Sequence, residues 1–519
     1  MQRTANPRTP VQFRPRPPTK PATAGFVVSG ARLILVKAGQ GVAAHAGHME
    51  NLPLPHAALA WNFDPELLRR YDRQGPRYTS YPTAPHFDTN FDGAQLRRAI
   101  MRSQSRQPGR ALSLYVHVPY CVSPCFYCGC NRVITRDRSK GEAYVRRVLR
   151  EAELIAASVD PQREVVQLHL GGGTPNFLSP ALINTLVQGL AEHFRLDTSP
   201  GRDVSIELDP RQVGAADIEA LAMAGFNRTS LGIQDFDPEV QQAINRVQSV
   251  EETLVLIEAC RRYGIRSVNV DLIYGLPKQT LEGFSRTLDT VIRARPDRLA
   301  VYGYAHLPQL FRAQRQIADA DLPGAELKLA LLGAAVRKLA DAGYQYIGMD
   351  HFALPGDELA VAQRRGDLHR NFMGYTTHAD TDLLALGVSA ISHVGDSYSQ
   401  NPRDLAQWEA AIDAERLPVA RGLALSPDDR LRADVIQQLM CHGKVDFKMI
   451  EAAHGIVFRD YFGAELQALV PLVRDGLAVL EPTRVLATGR GRPLIRLIAM
   501  CFDRYLQAPQ QPARYSKAI

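Results

Sequence analysis

The stretch "LYVHVPYCVSPCFYCGC", residues 114–130, runs from a β-branched and aromatic segment straight into four of the chain's seven cysteines. The first part predicts a strand. The second packs four thiols into ten residues, 121–130, with the spacing C-x3-C-x2-C-x-C. Cys260, Cys441 and Cys501 lie far apart and read as small buried apolar residues. One dense cluster beside scattered thiols indicates a reducing, here cytoplasmic, compartment and a metal site rather than a disulfide framework.

Outward from this strand a pattern repeats. "VVQLHL", "VSIEL", "TSLGI", "SVNVDLIYG" and "RLAVYGYA" are further strand candidates, and segments such as "EAYVRRVLREAELIAAS" and "VEETLVLIEACRRYG" between them have helical length and amphipathicity. Six such units imply a parallel sheet, α/β in class. Six strands are too few for a closed eight-stranded barrel, so a partial (β/α)6 barrel or an open doubly wound sheet is expected. Chemistry-bearing residues gather at the strand ends: the cysteines, "GGGTP" at 171–175, Glu207 and Asp209, Gln234 and Asp235, Asp271, and Tyr304 to His306. Ligands of α/β sheets collect at that edge. Beyond about residue 350 the alternation stops, and "DGLAVL" and "TRVLATGRGRPLIRLIAMCF" read as a strand pair and a helix.

The expected organisation is a disordered basic extension (1–48), an N-terminal helical arm (49–105), the partial barrel (106–348) and a smaller α+β domain (349–519) covering the barrel's open edge. Within the arm, "FDPELLRRY" predicts a helix over 62–74 with Asp64 as N-cap and Pro65 in its first turn. The extension suits a transit peptide, a basic tether or translated upstream sequence. Seven of the chain's 61 basic residues and none of its 54 acidic ones fall in residues 1–49, so the remainder is formally neutral. That argues against a nucleic-acid-binding body. No apolar run reaches the length of a membrane span.

Four thiols this close are cramped for zinc, which usually draws on two separated knuckles. An iron–sulfur cluster is larger and suits a loop wrapped around it. Cys121, Cys125 and Cys128, with an aromatic just before the third, resemble the radical S-adenosylmethionine (SAM) superfamily motif. That resemblance implies one [4Fe–4S] cluster with three thiolate ligands, SAM chelating the open iron, and a 5′-deoxyadenosyl radical as oxidant. Cys130 is then not a ligand.

"GPRYTSYPTA" (75–84), "YVHVPYCVSPCFYCGCN" (115–131), "LHLGGGTPNFL" (168–178), "IELDPR" (206–211), "LGIQDF" (231–236), "INRVQ" (244–248), "NVDLIYGLPKQT" (269–280), "YAHLPQLF" (304–311), "YIGMDHFALP" (346–355) and "DTDLLALGVSAIS" (380–392) together resemble the oxygen-independent coproporphyrinogen III oxidase family of haem biosynthesis. The likeness runs from about residue 60 to the C-terminus. It implies decarboxylation of two propionates of coproporphyrinogen III to vinyl groups, giving protoporphyrinogen IX. It also implies an unidentified electron donor and acceptor, and a monomer. Two SAM molecules are expected. By motif, Tyr115, Gly172, Glu207 and Ile391 match contacts to the cluster-bound SAM. Tyr127, Gly173, Thr174, Gln234, Arg246, Asp271 and Ala305 match the second SAM site. Phe126-Tyr127 stands where the family reads Tyr-Phe, and Leu170 where it reads Trp. Arg77, in an aromatic segment bounded by Gly and Pro, is a candidate clamp for a substrate carboxylate. Two other readings stay open: a haem chaperone with a radical-SAM-like domain, and a structural iron–sulfur or zinc protein.

Overall fold

The computed structural model describes residues 70–71 and 73–506. The 1–48 extension and the Asp64 cap lie outside them, as does most of the helix expected over 62–74.

Six parallel strands form in the expected places: β1 Ala111–Val118, β2 Glu164–Gly172, β3 Asp203–Leu208, β4 Arg228–Gln234, β5 Ser267–Tyr274 and β6 Arg298–Gly303. Their spatial order equals their chain order, and every neighbouring pair is parallel. A doubly wound sheet reverses direction at a switch point. None occurs here, so the crossovers all step the same way and the sheet is a partial (β/α)6 barrel with its helices on one side.

The two faces of the sheet differ, because successive side chains point to opposite faces. One face carries Leu112, Leu114, Val116, Leu168, Leu170, Leu231, Val268, Val270, Leu299 and Val301, all buried in one core with Val145, Val148, Leu186, Leu256 and Phe284 of the crossover helices. The other face carries Tyr115, His169, Ser205, Glu207, Ser230, Asn269, Asp271 and Tyr302, none of them fully buried. The barrel interior is thus a polar lumen, not a packed plug.

After β6 the chain makes β7 Gln345–Gly348 and β8 His351–Ala353, and β8 adds antiparallel to β6. A separate hairpin follows, β9 His369–Asn371 with β10 Gly374–Thr376. Then β11 Thr381–Leu386 returns to the main sheet and pairs in parallel with β1, followed by β12 Ile391–Val394, β13 Ser397–Gln400 and β14 Arg421–Ala424 in antiparallel order. The sheet therefore extends well past residue 348, where helix–strand alternation ends in the sequence. "DLLAL" is a short apolar run without a preceding crossover helix of the earlier kind, and only pairing with β1 shows where it belongs.

Residues 427–502 build a second core from the helix Pro427–His442, a small antiparallel sheet (β15 Lys444–Asp446, β16 Ala478–Leu480, β17 Arg484–Ala487) and the helix Ile495–Met500. Tyr71, Tyr78 and Tyr81 of the arm pack into that core. Tyr78 donates to Asp503 at 2.9 Å, and Arg496 donates to the carbonyls of Gly75 and Pro76. Between Arg73 and Asp92 the arm is largely irregular; its helix is Gly93–Arg106, with a capping box between Asp92 and Gln95. Among the described residues no helix is long and apolar enough to cross a membrane.

Candidate active site

The cysteine loop leaves the C-terminal end of β1. It is tied down on several sides. Phe126 N–H donates to the Ile244 carbonyl at 2.9 Å, and Asn245 Nδ2 donates to the Pro124 carbonyl at 2.7 Å. Arg132 donates to the carbonyls of Cys125 and Cys128, and Gln314 Nε2 to that of Tyr127 at 2.9 Å. His117 Nε2 lies 2.9 Å from the Asn131 carbonyl.

Within this loop the four thiols have unequal surroundings. Cys121 Sγ accepts from the Thr174 hydroxyl at 3.2 Å, Cys125 Sγ from Arg246 Nη1 at 3.4 Å, and Cys128 Sγ from the Cys130 N–H at 3.4 Å. The closeness of Cys130 draws Cys128 down to about 6 and pushes the proton affinity of Cys130 itself well up. Cys130 is exposed, whereas the other three sulfurs each accept an N–H or O–H donor. Among the described residues no three His, Cys, Asp or Glu side chains converge as on a single metal ion.

"GGGTP" owes its glycines to crowding by the root of this loop. A Cβ on Gly173 would lie 2.6 Å from the Pro119 carbonyl oxygen. One on Gly172, at φ +118°, would lie 2.7 Å from the His117 ring. These approaches explain the run by chain packing, and they bring Thr174 onto Cys121.

Two carboxylates face the lumen. Burial pushes the Glu207 carboxyl up, but His169 and the Gly172 N–H, 3.0 Å from Oε2, outweigh it and hold it below its ordinary range. Asp271 goes the other way: burial lifts it to about 6, with Glu207 adding to the rise, against hydrogen bonds from Ser230 and Asn269 at 2.9 Å. Tyr115 stacks on His169 with centroids 5.8 Å apart, and its hydroxyl lies 3.1 Å from His117 Nδ1.

Arg246 and Gln234 share one feature. Gln234 ends β4 at a register shift with φ +69°, an uncommon conformation for a residue with a side chain. Gly232 gives it room: a Cβ there would lie 2.8 Å from Gln234 Nε2 and 3.0 Å from Arg246 Nη2. Arg246 is buried and its donors are engaged by the Gly232 carbonyl, Asp209 and Cys125 Sγ. A ligand carboxylate at Arg246 would have to displace one of these partners. Asp209 also accepts from Arg211 at 2.6 Å, and Arg211 reaches toward Cys125 Sγ at 3.7 Å. Ala305 joins the group through its carbonyl, which accepts from Gln314 at 3.2 Å. Ile391 opens β12, opposite Gln400.

Arg77 is ion-paired with Asp350 and stands over the Tyr302 ring, 5.7 Å from its centroid. The segment 75–81 is thus anchored on the second core while Arg77 reaches a lumen-facing residue of β6. Sequence reasoning passed over His117, Arg132 and Arg211 as loop supports. The last sits in "IELDPR", where a cation two residues from Asp209 was the available signal.

A family model described as the radical SAM superfamily matches residues 115–291, and one described as the HemN C-terminal domain matches residues 425–494. The oxygen-independent coproporphyrinogen III oxidase of Pseudomonas aeruginosa is 49% identical over 457 residues, covering 88% of this chain and 99% of its own. The chain belongs to the oxygen-independent coproporphyrinogen III oxidase family.

The Escherichia coli member of that family is 46% identical over 462 residues, covering 88% of this chain and 99% of its own. The solved structure of coproporphyrinogen III oxidase (HemN) from Escherichia coli, described as a radical SAM enzyme, superposes with a TM-score of 0.81 at 46% identity, covering 86% of this chain and 99% of that one. As an oxygen-independent coproporphyrinogen III oxidase the chain is a radical SAM enzyme, and the superfamily's cofactors are a [4Fe–4S] cluster and SAM. The residues present fit such a cluster. Three sulfurs each accept an N–H or O–H donor, two cations lie beside Cys125, and the loop is pinned at both ends; hydrogen bonds of this kind stabilise thiolate ligands and tune a cluster.

Proposed function

We propose that this chain decarboxylates two propionate side chains of coproporphyrinogen III to vinyl groups, giving protoporphyrinogen IX. The observation that carries the reading is a set of three thiols that each accept a hydrogen bond, beside an exposed fourth, at the mouth of a polar lumen in a chain with near-full-length oxidase relatives. Each conversion is a two-electron oxidation. One hydrogen atom leaves the β-carbon, CO2 departs, and one electron passes to an acceptor. When bound, the cluster and SAM supply the hydrogen-atom abstraction.

In this reading Cys121, Cys125 and Cys128 hold the cluster, and Cys130 stays free of it. Tyr115, Gly172, Glu207 and Ile391 receive the SAM on the cluster. Glu207 is held ionised by His169 and the Gly172 N–H, so it can accept hydrogen bonds from ribose hydroxyls. Tyr127, Gly173, Thr174, Gln234, Arg246, Asp271 and Ala305 receive a second SAM. Asp271 supports that assignment as a lumen carboxylate with no cation of its own to pair with among the described residues, suited to an ammonium or ribose group. Arg246, committed to Asp209 and Gly232, fits better as the positioning residue for Cys125 than as a free clamp unless the ligand exchanges with Asp209.

The test is anaerobic incubation of the reconstituted protein with SAM, a reductant and coproporphyrinogen III. Stoichiometric release of CO2 and appearance of protoporphyrinogen IX are expected. No product, with cluster and SAM sites shown to be filled, would sink the proposal.

A further inference from the structure

Arg370 lies in the β9–β10 hairpin and faces Tyr375 across it, its guanidinium carbon 4.7 Å from the ring centroid. The pair is held in place from the helix 427–442. Tyr375 donates to the Met440 carbonyl at 2.9 Å, and Gln437 Nε2 donates to the Arg370 carbonyl at 3.2 Å. Arg370 is only 5% exposed, yet its Nε and Nη1 are buried without a hydrogen-bond partner among the described residues. Arg163, Arg228, Arg246 and Arg432 are buried to a similar degree, and each is ion-paired. An arginine stays charged, and a desolvated guanidinium without an acceptor is costly.

Two neighbours share this condition or its charge. His351 Nδ1 is also buried without a partner, and its ring meets the edges of Tyr302 and Tyr375 at 5.8 and 5.3 Å. Arg77 stands on the other side of Tyr302, close enough to Arg370 for the two cations to disfavour each other. Arg77 is already answered by Asp350. Taken together, Arg77, Asp350 and Arg370 leave one positive charge uncompensated. Tyr302 marks where this group lies. Burial lifts its hydroxyl, Asp271 and Glu207 add to the rise, and Arg77 and Arg370 oppose it. Ring contacts thus run from Arg370 through Tyr375 and His351 to the lumen-facing Tyr302, over which Arg77 stands.

We infer that Arg370 and His351, with Arg77 beside them, form a carboxylate-binding site at the side of the lumen, and that its ligand is one propionate of the tetrapyrrole. The inference rests on the substrate class proposed above. One carboxylate satisfies both the unpaired guanidinium donors and the residual charge, and paired N–H donors suit it geometrically. Such an anchor holds a part of the substrate that is not reacting, so that its binding energy positions the part that is.

The experiment uses cluster-loaded, SAM-saturated protein and measures binding of coproporphyrin III, the stable oxidised tetracarboxylate, and of its tetramethyl ester, by fluorescence. The wild type is expected to prefer the acid. Arg370→Met is expected to bind the acid roughly ten- to hundredfold more weakly, the range for losing a hydrogen bond to a charged group, with ester binding unchanged. Arg370→Lys, which keeps the charge without the fork, is expected to recover part of the loss and decides the matter if the Met variant does not fold. Unchanged acid affinity, equal losses for acid and ester, or no acid preference in the wild type would each overturn the site. Acid-selective, Arg370-dependent binding without turnover would leave the site standing and remove the catalytic proposal. Turnover with an unchanged KM in Arg370→Met would do the reverse.

Discussion

Two buried arginines, Arg163 and Arg370, meet opposite surroundings. At the N-terminal ends of the strands Arg163 and Asp382, each almost fully buried, pair at 2.6 Å. Asp382 also accepts from Ser103 at 2.6 Å and the Gly395 N–H at 2.9 Å, and Arg163 Nε donates to the Arg110 carbonyl at 2.7 Å. That network locks β11 to the segment before β2 and is nearly complete. Beside the lumen, Arg370 and His351 hold buried donors without a hydrogen-bond partner, and Asp271 has no ion-pair partner, among the described residues. A completed network is finished by folding and serves stability. An incomplete one has a cost that a ligand can remove.

The largest effect expected is at the thiols. Cys125→Ser should lose the cluster's visible absorption and all product formation, whereas Cys130→Ser should keep the absorption. Loss of the cluster from the Cys130 variant would erase the division between three accepting thiols and an exposed fourth. Next comes the contrast between the two arginines. Arg163→Ala should destabilise the protein by about 1–3 kcal/mol, because Asp382 loses its 2.6 Å partner and keeps only the longer contact to Arg110 at 3.4 Å beside its hydrogen bonds. Arg370→Met, measured without substrate in the same denaturation experiment, should leave stability unchanged or raise it. If both lost stability equally, Arg370 would belong to the structural class. A smaller effect concerns pH. Asp271 must be ionised to receive a cationic ligand and titrates at about 6, so SAM affinity should fall as pH drops through that value, by up to about tenfold per unit. Asp271→Asn should flatten that dependence; a slope that survives the substitution would assign it to another group. The smallest effect is expected from Tyr375→Phe, which removes one buried hydrogen bond to the Met440 carbonyl and should cost about 1 kcal/mol in the same unfolding assay.

Much of the fold was legible because its signals are local. Six β-branched runs alternating with amphipathic segments announced β1 to β6, and "CVSPCFYCGC" announced a loop built around a cluster. The residues that meet in the lumen were also largely legible, since Glu207 and Gln234 lie at the ends of their strands; Asp271, expected at a strand end, instead sits in the middle of Ser267–Tyr274. Their partners were less so. Arg246 reads as a free cation in "INRVQ" until Asp209 and the Gly232 carbonyl are seen to occupy it. The glycines of "GGGTP" are matched to SAM contacts by motif, and only the structure adds that their Cβ directions meet Pro119 and His117. Arg370, in "LHRNFMGYTT", carried no signal in the sequence, because an unpaired charge is a property of what is absent around it.

The chain by itself determined the class of fold, the order of the strands along the sequence and the cysteine spacing, all set by residues within one or two turns or strands of each other. The tertiary structure decided what depends on distance across the fold. It put β11 beside β1, gave each thiol its donor, and anchored the arm on the second core so that Arg77 reaches Tyr302. Hydrogen-bond satisfaction and desolvation are sums over all neighbours, and neighbours remote in sequence are supplied only by folding.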